Sequence, residues 1–94
     1  MTTRTVGQIR SDIAIRAAGM SRAALQYKTQ TADQDTAEAL EVVKAAARRR
    51  KARKGGGATL AELDIARAYV DAAIIAGEWR YAAEQRDSER RAVA

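Results

Sequence analysis

Residues 44–57 read KAAARRRKARKGGG. Alanine and the long basic residues favour helix, whereas glycine disfavours it. The stretch therefore predicts a helix that ends near residue 54 and a reversal of the chain at Gly55–Gly57. Seven positive charges lie between Lys44 and Lys54 with no acid among them. A helix end with bases is expected to some degree, because they complement the negative end of the macrodipole. Two or three would meet that need, so the remainder points outward.

The segments on either side also read as helix. Thr5-Val-Gly-Gln8, Thr31-Ala-Asp-Gln34 and Thr59-Leu-Ala-Glu62 each place Thr three residues before Gln or Glu, the pattern of a capping box. With the apolar periodicity that follows each, they predict helices over about 5–28, 32–54 and 59–90. No segment alternates as a strand does. The expected fold is all-α, a three-helix bundle or long helical hairpin that is oligomeric. Residues 1–94 form one small helical domain, with a glycine break at 55–57 and a polar helix end at 84–94.

The first segment carries Val6, Ile9, Ile13, Ala17, Met20, Ala24 and Tyr27 on one face at spacings of three and four. That phase runs through Gly19 and predicts one continuous helix. Gly7, Ser11, Ala14, Ala18 and Leu25 line the opposite side. The third segment is apolar on two faces. Leu60, Leu63, Ala66, Val70, Ala73, Ile74, Gly77 and Tyr81 form one. Ile65, Ala68, Tyr69, Ala72, Ile75, Ala76 and Trp79 form the other. Asp64, Asp71 and Glu78 separate them on one side. Three short helices cannot cover both faces, so the second is expected to serve self-association through Ile65, Tyr69, Ala72, Ile75 and Trp79.

The chain has no His and no Cys, which removes the commonest general base, the thiolate nucleophile and the usual zinc ligands. The acids at 64, 71 and 78 are too spread along a helix to share a metal. The expectation is a non-enzymatic protein with no catalytic residue, cofactor or metal. No 18-residue apolar run is present and the N-terminus has no apolar signal core, which predicts a cytoplasmic protein without membrane contact. The excess of arginine over lysine and the abundance of alanine suggest GC-rich coding DNA, as in a high-GC bacterium, its phages or its mobile elements.

Charge is polarised. The formal net charge of +5 divides into +4 over residues 1–30, +3 over 31–54 and −2 over 55–94. After Ala47 the second segment loses its apolar stripe and becomes basic around the whole circumference. Arg48, Arg49, Arg50, Lys51, Arg53 and Lys54 are therefore the candidate nucleic-acid contacts, since phosphate rewards Lys and Arg without regard to base sequence. Pairing with Glu62 and Asp64, a solvated helix end, or docking on an acidic protein are the competing uses of the same bases. The corresponding alternative function is a structural or inhibitory protein-interaction module, such as a phage component that binds itself, a host protein or a virion protein. The three glycines are not a phosphate-binding loop, because no strand precedes them and no Lys-Ser/Thr pair follows.

Ala14-Ile-Arg-Ala-Ala-Gly19-Met-Ser21-Arg22-Ala-Ala-Leu25 resembles the helix-turn-helix of TetR-type repressors over about fifteen residues. The resemblance implies a turn at Gly19, a cap at Ser21, and Arg22, Gln26 and Lys28 facing DNA, hence a second alternative, a DNA-binding regulator. Ile15 departs from the Ala that the family prefers, and the aromatic pair after Leu25 is missing.

Overall fold

Thr5 opens the first helix as the sequence predicts. Its hydroxyl accepts from the Gln8 N–H at 3.1 Å, and the Gln8 side chain accepts from the Thr5 N–H at 2.8 Å. In the computed structural model, which describes residues 4–53 and 56–93, three helices follow: α1 Val6–Ala18, α2 Arg22–Ala52 and α3 Leu60–Val93. No strand occurs among the described residues.

The first boundary falls ten residues earlier than expected. α1 stops at Ala18, and Ser21 caps α2, its hydroxyl accepting from the Ala24 N–H at 3.1 Å. The Arg86 guanidinium, reaching across from α3, donates to the carbonyls of Ala17 and Met20 and so satisfies the open end of α1. The expected continuous helix over 5–28 is thus overturned, and with it the break near residues 29–31. Thr31 caps nothing: its hydroxyl donates to the Tyr27 carbonyl one turn back. Thr29 and Thr36 bond the Leu25 and Ala32 carbonyls in the same way. Hydroxyls turned onto their own helix are satisfied without breaking it, at a slight cost to the helix.

The turn also slips the apolar stripe by one residue. Ile13 and Ala17 are buried, but beyond the turn Leu25 takes the core position at 3% exposure while Tyr27 is 71% exposed. Glycine is not required at the turn. Gly19 has φ −89°, and a Cβ there would lie 3.8 Å from the nearest atom, the Arg16 carbonyl oxygen. Loss of the cap should therefore outweigh loss of the glycine. Ser21→Ala is expected to lower stability by about 1 kcal/mol, or about 4–8 °C in Tm, and Gly19→Ala to be near neutral. Thermal melts followed by circular dichroism check both; a larger loss from Gly19→Ala would reject this account.

α2 and α3 pair antiparallel as a long hairpin. At 1.5 Å per residue they run about 46 and 51 Å, and the molecule measures 61 × 26 × 18 Å. Its radius of gyration, 17.1 Å, exceeds the roughly 12 Å of a compact chain of this length. α1 lies along the C-terminal half of α3 and parallel to it, as the pairs Arg10–Glu78 and Ala17–Arg86 show. The core therefore sits at one end, where three helices meet: Ile13, Ala17, Leu25, Ala32, Ala76 and Trp79, with Ile9, Met20, Ile75, Ala82 and Ala83 against them. Toward the glycines only two helices remain, joined by small residues such as the buried Ala46.

Trp79, expected as an anchor of self-association, is 1% exposed and belongs to the core of the single chain. Ile65, Tyr69, Ala72 and Ile75 are half-buried on the same side of α3. The face assigned to a second copy is thus largely covered by α1 and α2. The opposite face is the less covered one: Leu63, Val70 and Tyr81 are 54%, 51% and 47% exposed, with Ala73, Ile74 and Gly77 half-buried between them.

Candidate nucleic-acid interface

The basic end of α2 forms the tip of the two-helix prong. Arg48, Arg49, Arg50, Lys51 and Arg53 are all exposed, and Lys54 lies outside the described residues. Beyond them Gly56 adopts φ +84°, a left-handed conformation that glycine accepts without strain, and the chain turns back. The Thr59 hydroxyl then accepts from the Glu62 N–H at 3.1 Å to open α3.

The bases divide into two groups. Arg50 continues the side of α2 that faces α3, one turn after Ala46. Arg53 donates to Glu62 at 2.8 Å and to the Gly57 carbonyl at 3.1 Å, and Arg50 Nε lies 3.9 Å from the same carboxylate. These two clamp the start of α3 to the end of α2. The expectation that this turn and a half has no inward side is corrected accordingly. Arg48, Arg49 and Lys51 fall within about 160° of arc on the other side. Among the described residues none of the three has an acid within ion-pair distance. Lys44 is drawn toward Glu41 at 3.4 Å on its own helix. Between the prongs, Val43, Ala46, Ala47, Leu63 and Ala66 line an open cleft of about 520 Å³, bordered by Arg50, Arg53 and the flank of Lys51.

Two carboxylates are held by arginine. Arg53 keeps the Glu62 carboxyl below the usual glutamate range, against the opposing pull of its partial burial. Arg10 does the same for Glu78, gripping both its oxygens at 2.9 and 3.1 Å. The Arg10 guanidinium also lies 5.3 Å from the centre of the Tyr81 ring. Because both carboxyls titrate lower in the folded chain, their contribution to stability is complete above the unfolded value of about 4.3 and is lost as pH falls through the folded values. The Tm should hold between pH 7 and about 5 and decline below about 4. The Glu62→Gln, Glu78→Gln variant should decline less steeply from a lower plateau; parallel curves for the two proteins would contradict it.

The residues read as a DNA-facing set at the first turn are not gathered on one outward surface. Lys28 Nζ lies 5.6 Å from the Trp79 ring, with the Arg16 guanidinium at 5.3 Å. Arg22 and Gln26 instead line a groove shared with Ala83, Arg86 and Asp87 of α3. The helix–turn–helix connection is present at Gly19–Ser21, but α2 continues for 31 residues. Asp64 and Asp71 are exposed while Glu78 is buried beside Arg10. Among the described residues no three acids gather as a metal site, and no helix is long and apolar enough to cross a membrane.

Sequence reasoning named Glu62 as a competitor for the bases but missed the roles of Arg86, Arg16 and Lys28. No family model matches the chain, and no curated protein or solved structure matches it either.

Proposed function

We propose that the chain is a non-enzymatic nucleic-acid-binding protein that contacts phosphate through the outward side of the α2 tip. The observation that carries this reading is the division of the bases. Arg50 and Arg53 have Glu62, whereas Arg48, Arg49 and Lys51 stand exposed with no acid at ion-pair distance among the described residues, at the end of a protruding hairpin. Such bases gain by displacing counterions from phosphate, and the gain diminishes with salt. Arg50 and Arg53 retain N–H groups that reinforce the edge of the patch. The test is fluorescence anisotropy of a random-sequence DNA duplex at 50 and 200 mM salt, with the native chain and with Arg48→Ala, Arg49→Ala, Lys51→Ala combined. Absence of binding at the lower salt discards the proposal.

A second reading, a protein-interaction module, draws on the apolar face of α3 that α1 and α2 leave uncovered.

A further inference from the structure

Projected at 100° per residue, Leu63, Val70, Ile74, Gly77 and Tyr81 fall within a sector of about 60° on α3, on the side opposite Trp79. No ionisable side chain but Tyr81 enters that sector between residues 63 and 81. Leu63 and Val70 are more than half exposed and Ile74 and Gly77 half-buried; Leu63 borders the cleft toward α2 and Tyr81 lies beside Arg10 of α1, so the stripe is open chiefly along its middle. An uncharged, partly aliphatic stripe facing water is the mark of a contact surface.

What covers it is indicated by its edge. Arg67 and Asp71, opposite in charge and one turn apart, run along the same margin of the stripe. Both are exposed, and neither has an ion-pair partner among the described residues. An antiparallel pair of α3 helices related by a two-fold axis near the level of Tyr69 sets Arg67 of one copy opposite Asp71 of the other, twice. The same register sets Leu63 beside Ile74 of the second copy and brings the two Val70 side chains together near the axis. A two-fold interface must be complementary to itself, and this edge is.

We infer that a second copy of this chain docks antiparallel on the Leu63–Gly77 face of α3. The inference names the partner for the protein-interaction reading and does not depend on phosphate contact at the tip. The paired length, about 28 Å for residues 60–78, makes an interface at the small end of specific contacts. A contact of this size suits a weak dimer, and the expected Kd is about 1–100 µM, in the range of transient association.

Sedimentation equilibrium without nucleic acid, from about 5 µM to 1 mM, tests this. The native chain should pass from monomer to dimer. Leu63→Lys with Val70→Lys should stay monomeric with unchanged helical content, since both side chains are exposed in the single chain. Arg67→Asp and Asp71→Arg each set like charges against one another across the two-fold, and each should weaken the dimer about tenfold. An equimolar mixture of the two should recover native affinity as a heterodimer. A native chain that is monomeric throughout would overturn the inference and leave the face to another protein. Undiminished dimerisation of the double lysine variant would overturn the choice of face, and a mixture no tighter than either variant alone would overturn the antiparallel register.

Discussion

Trp79→Ala is expected to lower stability by about 3–5 kcal/mol and to remove most of the cooperative melt. Total stability for a domain of this size is of the order of 5–14 kcal/mol. Trp79 is the only large side chain described as fully buried, and three of the five residues that share its cluster are alanines. Alanines bring helix backbones close but fill little volume, so the indole occupies the space where α1, α2 and α3 meet. Arg16 of α1 and Lys28 of α2 both lie over its ring, which excludes water and adds a cation–π term from each side. Truncation leaves a cavity that Ile13 and Leu25 cannot close without backbone movement. α1, held by Ile13 and Ala17 in that cluster, should detach first. Circular dichroism melts and amide exchange over residues 6–18 measure the effect. Trp79→Phe should lose less than half as much, because it keeps the apolar ring. A Trp79→Ala melt within a few degrees of native would mean that the three helices do not depend on this contact.

The all-helical architecture and the hairpin at the glycines were legible, and the physical reason is local. Thr5 and Thr59 act as caps, α2 ends at Ala52, and Gly56 takes a left-handed conformation in the connection that follows. The first boundary was legible only through the resemblance of Ala14–Leu25 to a helix-turn-helix, which implied a turn at Gly19 and a cap at Ser21; caps and periodicity put it about ten residues later. Its signals were a serine before Arg22 and a glycine with an ordinary φ, while Thr31-Ala-Asp-Gln34 offered an equally good capping pattern. Local chemistry does not separate those two. What decides is Arg86, 66 residues away from Met20, whose guanidinium holds the carbonyls at the end of α1. The continuous stripe through Gly19 misled for a related reason. The three-residue connection displaces the apolar phase by one position, and alanines on both sides of the helix hide the slip.

The two faces of α3 were both visible, but Trp79, assigned outward because Trp and Tyr anchor interfaces, is buried in the single chain. Burial went to the face whose small residues let α2 approach closely and whose one indole fills the gap. At the tip, the count of bases was legible and their division was not. The hairpin places Glu62 beside Arg53, but only the observed register shows that the same carboxylate faces Arg50, while Arg48 and Arg49 turn away and Lys51 borders the cleft without reaching the carboxylate.

That division yields the second large effect. Combined Arg48→Ala, Arg49→Ala and Lys51→Ala should weaken duplex binding about a hundredfold at 50 mM salt and reduce the slope of log K against log salt by about 2.7, as expected for three lost phosphate contacts. Stability should change little, because among the described residues none of the three has an ion-pair partner to lose and exposed side chains of this kind contribute within about 0.5 kcal/mol. A charge-matched control separates a local contact from general attraction. Arg22, Arg90 and Arg91 lie at the opposite end of the hairpin, are exposed, and carry the same three charges. Their replacement by alanine lowers net charge equally but should weaken binding less than about fivefold, since exposed charges more than a Debye length from the contact are largely screened. Arg53→Ala is a poorer probe: it frees the partly buried Glu62 carboxylate as well as removing a base, so binding and stability would fall together. Equal losses from the tip variant and its charge-matched control would show that the chain attracts nucleic acid by net charge alone. The outward side of α2 would then be solvated surface, and the protein-interaction reading would stand in its place.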